Sequence, residues 1–241
     1  MSGPDIVQIG PVTLIHGDAQ EVLPDYRGAA DMLCTDHPYR LTSGGRGKTE
    51  HQTMTGMFDP EDYDNSGDLM AMAEWNRTGG PLFRALKPDA DAYVMVNDKN
   101  LFLAGGAFIG AGFRFHNLLM WDKHSPTPNK WYMKHVEFTL YLWKGRGRPI
   151  RNKGSKQLYR TPKPKAGHHI TEKPVALMRH YIDNSSDAGD IVLDPYMGSG
   201  TTLVAAVETG RGGIGVEIER EHFETACRRV RDAVVECGVP V

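Results

Sequence analysis

Asp190-Ile-Val-Leu-Asp-Pro-Tyr-Met-Gly-Ser-Gly-Thr-Thr-Leu-Val-Ala-Ala-Val-Glu-Thr209 reads as a strand, a turn and a helix in succession. Residues 190–193 form a short β-rich run that ends at an acid, Asp194. Gly198 and Gly200 then allow a ligand close to the backbone and supply the dihedrals of a tight turn, and residues 201–209 have a helical pattern. No lysine follows the glycines, so this is not a phosphate-binding loop, and Leu203 stands where a dinucleotide fingerprint has its third glycine. Glu217 follows the next β-rich run, 212–216, where an acid hydrogen-bonds ribose hydroxyls. The stretch suits a nucleoside ligand that lacks a pyrophosphate.

The pairing of strand and acid recurs upstream: residues 12–16 lead to Asp18 and residues 31–35 to Asp36. One such acid is ordinarily a turn or cap residue. Four at strand ends suggest a site that holds hydroxyls, amines and a cationic ligand. Further strands are expected at 92–97, 117–121 and 136–143, which makes seven in all. Helices are expected at 68–86 with a break at Gly79-Gly80, and at 100–112, 175–184 and 220–236. This alternation predicts an α/β doubly wound fold with a mostly parallel seven-stranded sheet. Residues 40–64 and 122–170, apart from the strand at 136, resist assignment, and long irregular segments in a folded domain are usually functional.

The chain has 241 residues, net charge −2 and 40% apolar residues. That profile excludes wholesale disorder and fits one domain over 1–241. No apolar run approaches the ~20 residues of a membrane span, and no secretory leader is expected. Cys34, Cys227 and Cys237 show no spacing for a disulfide framework or a zinc site, so no metal is expected and a cytoplasmic setting fits. Charge is segregated: residues 123–165 hold twelve Lys and Arg against one acid, Glu137. Trp131, Tyr132, Trp143 and Tyr159 are interleaved with these cations, which offers stacking surfaces beside phosphate neutralisers and points to nucleic acid.

The second motif is Thr35-Asp36-His37-Pro38-Tyr39. Together with Gly17-Asp18, Asn97-Asp-Lys-Asn100, Trp131-Tyr-Met-Lys134, Gly154-Ser-Lys-Gln157, His169-Ile-Thr-Glu-Lys-Pro174 and Asp194-Pro-Tyr-Met-Gly-Ser-Gly200, it resembles the amino-methyltransferases of DNA across nearly the whole chain. Tetrapeptide first and glycine turn last is the order of their β group, of phage or bacterial type. The resemblance implies a Rossmann-like methyltransferase fold in circularly permuted motif order, S-adenosylmethionine as methyl donor, double-stranded DNA as substrate and a homodimer. It makes Asp36, His37, Pro38 and Tyr39 the catalytic tetrapeptide. Asp36 and the His37 carbonyl would accept the hydrogens of the target amine, and Tyr39 would stack on the flipped base. It also places Asp18, Thr171, Lys173, Asp194, Tyr196, Gly198, Gly200, Thr201 and Glu217 around the donor. DNA contact is expected from Lys123, Lys130, Lys134, Arg146, Arg148, Arg151 and Lys156.

His37 departs from the family's first proline. The change is expected to loosen the loop by ~0.4–1 kcal/mol, and an imidazole beside Asp36 is expected to titrate between pH 5.5 and 8. Cys34 lies within a strand and reads as core, which argues against attack on cytosine C5. Asp at the tetrapeptide's first position favours adenine N6. Cytosine N4, an RNA substrate and a catalytically silent binder of donor and nucleic acid remain as alternatives.

Overall fold

The computed structural model describes residues 4–38, 73–127, 132–163 and 172–240. The chain opens with a hairpin of β1 (Asp5–Ile9) and β2 (Val12–His16), continues through the short helix α1 (Ala19–Val22) and a 3-10 turn at Leu23–Tyr26, and enters β3 (Ala30–Asp36). Next come α2 (Trp75–Ala85), β4 (Leu86–Val96), α3 (Leu101–Gly110), β5 (Arg114–Thr127), β6 (Lys134–Trp143) and β7 (Leu158–Arg160). The last part alternates α4 (Val175–Ser185), β8 (Ile191–Asp194), α5 (Thr201–Glu208), β9 (Gly212–Glu217) and α6 (Arg220–Glu236).

One sheet collects every strand in the order β1-β2-β9-β8-β3-β4-β6-β5-β7. β2, β9, β8, β3 and β4 are mutually parallel, β1 and β6 run antiparallel to their neighbours, and β5 is antiparallel to β6 but parallel to β7. The expected mostly parallel α/β sheet is found, but with nine strands among the described residues rather than seven. Both additions are edge strands. β1 is largely exposed, with Ile9 its one buried residue, and β7 is three residues long, so neither has the buried apolar run that marks a strand in sequence.

Helices cover both faces because the central strands are apolar on both sides. In β3, Leu33 packs with Leu82 and Phe108 under α2 and α3, while its neighbours Met32 and Cys34 pack with Leu177, Met178 and Tyr181 of α4. Alternate residues of a strand face opposite ways, so one run of sequence supplies both cores. Leu14, Leu203, Val230 and Val234 close a third cluster beneath α5 and α6. Cys34 is fully buried, as expected of a core residue. From β3 the chain proceeds to β4 in one direction along the sheet, and from β8 to β9 in the other. A crevice at the carboxyl ends of β3 and β8 is therefore the topological switch point, where open α/β sheets bind their ligands.

Candidate active site

The acids read from the sequence lie along this edge. Asp18, Glu217, Asp194 and Asp36 finish or follow β2, β9, β8 and β3, which are consecutive neighbours in the sheet. Thr35 Oγ1 donates to Asp194 Oδ1 at 2.8 Å and so ties the ends of β3 and β8 together. The Tyr196 amide donates to the same oxygen at 3.2 Å. Burial pushes the Asp194 carboxyl up to about 6, against the hydrogen bonds that favour its charge.

The glycine turn forms as the sequence requires. Gly198 (φ +51) and Gly200 (φ +83) both adopt left-handed backbone, and Gly200 caps α5. A Cβ on Gly200 would lie 2.9 Å from Ala226 Cβ of α6, whereas one on Gly198 would meet nothing within 4 Å. Gly200 serves helix packing, and Gly198 keeps space open beside the buried carboxylates. Glu217 Oε2 accepts from the Gly198 amide at 2.9 Å and Oε1 from the Glu219 amide at 2.9 Å, while burial raises its pKa. Arg229 of α6 fastens the turn from behind. Its Nη1 donates to Ser199 O and Oγ, both at 2.8 Å, and to Thr201 Oγ1 at 3.1 Å, and its Nη2 pairs with Glu172 at 2.6 Å.

Other residues expected around the donor line the same edge, Asp18 beside Glu217 through the Gly17 amide, which donates to the Glu217 carbonyl at 3.0 Å. Asp18 is exposed and caps α1 by accepting from the Gln20 amide at 2.8 Å. Tyr196 points its hydroxyl toward Thr78 Oγ1 at 3.5 Å. Lys173 contacts Asp36 Oδ2, and its Nζ is 3.5 Å from Glu137 Oε2. It is thus a partner of the tetrapeptide, while its neighbour Glu172 accepts from Thr201 Oγ1 of the glycine turn at 3.4 Å. Thr171, Tyr39 and Lys130 lie outside the described residues.

His37 corrects two expectations. Its side chain turns into the protein, 1% exposed, stacks on Trp75 at a centroid distance of 3.8 Å and meets Tyr196 edge-on at 5.0 Å. Its Nε2 lies 3.0 Å from Thr78 Oγ1, whose own hydrogen goes to the Glu74 carbonyl, so Nε2 carries the imidazole proton. Burial drops the pKa to about 3. The ring is neutral from pH 5.5 to 8, and it anchors the strand end against α2 where proline would have stiffened the backbone. Pro38 extends this anchorage through its carbonyl, which accepts from the Ala73 amide at 3.4 Å.

The basic window is divided. β6 runs antiparallel to β4, with Phe138 opposite Val96 at the site and Trp143 opposite Asp91 at the far end. Arg146, Arg148 and Arg151 follow β6 and therefore lie at the amino ends of the parallel strands, away from the site. The Arg146 amide donates to Asp89 there, and Arg151 pairs with Asp187. Lys156 is exposed just before the edge strand β7. Lys123 is near the site but buried, its Nζ 3.1 Å from Glu137 Oε1. Lys134 sits at the site edge in an ion pair with Asp98 at 2.9 Å. Of the interleaved aromatics, Trp143 packs on His116 and Tyr159 stacks on His180, while Tyr132 is 93% exposed. A charge count along the chain cannot show this division, because the antiparallel β6 carries half of the window to the opposite edge.

Glu137, Glu172, Arg229, Thr35 and Thr78 were not singled out from the sequence. Glu137 had one signal, as the lone acid among twelve cations. Burial alone would raise its pKa, but Lys173, Lys123 and Lys163 together hold it down to about 2.

Solved structures of DNA methyltransferases share this architecture. M1.HpyAVI in complex with SAM aligns with a TM-score of 0.67 at 24% identity over 91% of this chain and 98% of that one. The PvuII DNA methyltransferase, cytosine-N4-specific, aligns with a TM-score of 0.70 at 16% identity over 97% of this chain and 95% of that one. Sheet and site thus define a Rossmann-like fold of the S-adenosylmethionine-dependent methyltransferase class. The model of a DNA methylase family, that of the N6/N4 methyltransferases, matches residues 30–228, and the chain belongs to that family. Its relatives include the Type II methyltransferases M2.DpnII of Streptococcus pneumoniae and M2.LlaDCHI of Lactococcus lactis subsp. cremoris. Each is 30% identical over 240 residues, covering 90% of this chain and 88% of the relative. S-adenosylmethionine is the cofactor of this family.

Proposed function

We propose that this DNA methyltransferase acts on the exocyclic N6 of adenine in double-stranded DNA, with the target base flipped out of the helix, as the modification enzyme of a restriction–modification system. The observation that carries the reading is the adjacency of Asp36 and Asp194 at the ends of neighbouring strands, which brings tetrapeptide and glycine turn to one crevice.

The residues present fit the donor. Gly198 leaves open space, and the buried carboxylates of Asp194 and Glu217 flank it. S-adenosylmethionine supplies, when bound, a methyl group activated by its sulfonium. Asp194 holds the cationic methionine portion, Glu217 the ribose, and Gly198, Gly200 and Thr201 the backbone-lined side. An exocyclic amine is a weak nucleophile because its lone pair is delocalised into the ring. The Asp36 carboxylate and the His37 carbonyl accept the amine hydrogens, localise that pair and stabilise the positive charge that grows on nitrogen during transfer. The anchored His37 ring fixes where that carbonyl stands, and holding the reactants in line contributes much of the remaining rate. At the site edge we assign DNA contact to Lys134. The homodimer fits the outer face of α3, where Phe102, Leu103 and Ile109 are exposed, and sedimentation of the pure protein decides it.

Incubation with unmethylated bacterial DNA and S-adenosylmethionine, digestion to nucleosides and mass spectrometry test the reading. N6-methyladenine that disappears in Asp36→Ala is the expected result. N4-methylcytosine would move the acceptor and keep the mechanism. Neither product, with donor binding intact, would favour the silent binder or an RNA substrate.

A further inference from the structure

Four charged side chains alternate in sign from the tetrapeptide into the sheet: Asp36, Lys173, Glu137 and Lys123. Lys173 touches Asp36, its Nζ lies 3.5 Å from Glu137 Oε2, and Lys123 Nζ lies 3.1 Å from Glu137 Oε1. The side chains of Lys173 and Lys123 are 10% and 8% exposed, so both cations are withdrawn from water, while Asp36 and Glu137 are partly exposed. Its members come from separate places in the chain: the end of β3, the residue before Pro174 and α4, the site-ward half of β6, and the facing part of β5.

An ammonium against Asp36 presents a chemical difficulty. It orients the carboxylate, but it also offsets the negative charge that the reacting amine needs, and it stands near the nitrogen on which positive charge develops. A second carboxylate on the far side of that ammonium resolves this, because it cancels the lysine's charge without displacing it. We propose that Glu137, held by Lys123, is a positioning residue for methyl transfer: it fixes Lys173 against Asp36 and neutralises it, so that Asp36 meets the target amine as a full carboxylate. The inference rests on the reading of Asp36 as the acceptor of the amine. Glu137 stays ionised throughout the working range, since the lysines around it hold its pKa down to about 2.

A purely structural role, a staple between β5, β6 and the start of α4, makes a different expectation. The full-length protein, in excess over unmethylated bacterial DNA, is followed through a single turnover of radiolabelled S-adenosylmethionine. Donor affinity is measured separately by calorimetry with S-adenosylhomocysteine, and folding by thermal melting. Glu137→Gln is expected to slow transfer by about tenfold to a hundredfold, less than the roughly hundredfold to thousandfold lost with a group that contacts the reacting atoms directly, with donor affinity unchanged within about twofold. Glu137→Asp restores part of the rate. The double variant Lys123→Met/Glu137→Gln removes both members of the inner pair and leaves no Lys123 ammonium without its partner, so a staple made by that pair would be repaired and the rate would return. The proposal expects it to stay slow, because Lys173 is still not neutralised. Wild-type rate in Glu137→Gln, full recovery in the double variant, or a loss of donor affinity that parallels the loss of rate would each overturn it. Should Glu137→Gln melt below the assay temperature, Glu137→Asp decides, and wild-type rate there is likewise fatal. A wild-type protein that transfers no methyl group would instead remove the reading beneath the inference.

Discussion

Replacing His37 with glutamine removes a ring stacked 3.8 Å from Trp75 and a titratable group whose pKa is depressed to about 3. The unfolded chain binds a proton at this histidine near its ordinary value of 6.5, whereas the folded state resists it until about 3. Stability from this group is therefore complete above pH 6.5 and is lost as pH falls toward 3. Urea midpoints at pH 7 and pH 5 should show a smaller acid loss in His37→Gln than in the wild type, even though the variant is less stable at pH 7 by about 2 kcal/mol from lost packing. The rate of transfer should have the same dependence on pH in both proteins between 5.5 and 8. Asp194 also fails on the acid side, through its own carboxyl. Burial pushes that carboxyl up to about 6, and in the proposed role it must be charged to hold a cation, so affinity for S-adenosylmethionine measured by calorimetry is expected to weaken as pH falls through 6.

Gly79, Gly80 and Pro81 illustrate how packing overrides local signals at the scale of an element. In sequence the two glycines read as a break, yet α2 runs through them and through Pro81, from Trp75 to Ala85. The reason lies on α3: a Cβ at Gly79 would come 2.9 Å from Ala111 Cβ and 3.1 Å from the Ala107 carbonyl. The glycine lets the two helices approach closely. Gly79→Ala gains about 1 kcal/mol of helix propensity and loses about 1–3 kcal/mol to overpacking, so the net expectation is a lower urea midpoint, and a raised one would show that α3 yields. Elements with a strong period were legible. α6 has the expected bounds, and the turn from Asp194 to Thr201 was readable because Gly-x-Gly after a β-rich run admits few conformations. Asp36, Asp194 and Glu217 were legible for the same reason, since each terminates a strand. Glu137, Glu172 and Arg229 were not. Their roles come from partners in distant parts of the chain, and a lone acid on a strand or an arginine on an amphipathic helix has the same local pattern whether it faces water or a site.

Among the described residues, the cations between Lys123 and Arg160 lie at both ends of the strands, and this limits what DNA can feel. Each phosphate neutralised contributes about 0.9 to the slope of log affinity against log salt on duplex DNA. If the whole window from Lys123 to Lys165 met one duplex, its twelve cations would give a slope of about eleven. The structure removes much of that. Lys123 is occupied by Glu137, while Arg146, Arg148 and Arg151 lie beside the amino ends of the parallel strands, opposite the acids at their carboxyl ends. Exposed cationic groups near the site include Lys134 and also Arg160, whose Nε lies 3.2 Å from Asp122 Oδ2 on the site-ward part of β5. Fluorescence anisotropy over a salt series should therefore give a slope well below that value. Arg160→Ala and Lys134→Ala should each reduce it by about one, whereas Arg146→Ala/Arg148→Ala should leave both slope and affinity unchanged. A double variant at the far edge that lowers the slope by two would mean that the duplex wraps around the sheet instead of lying across its carboxyl end.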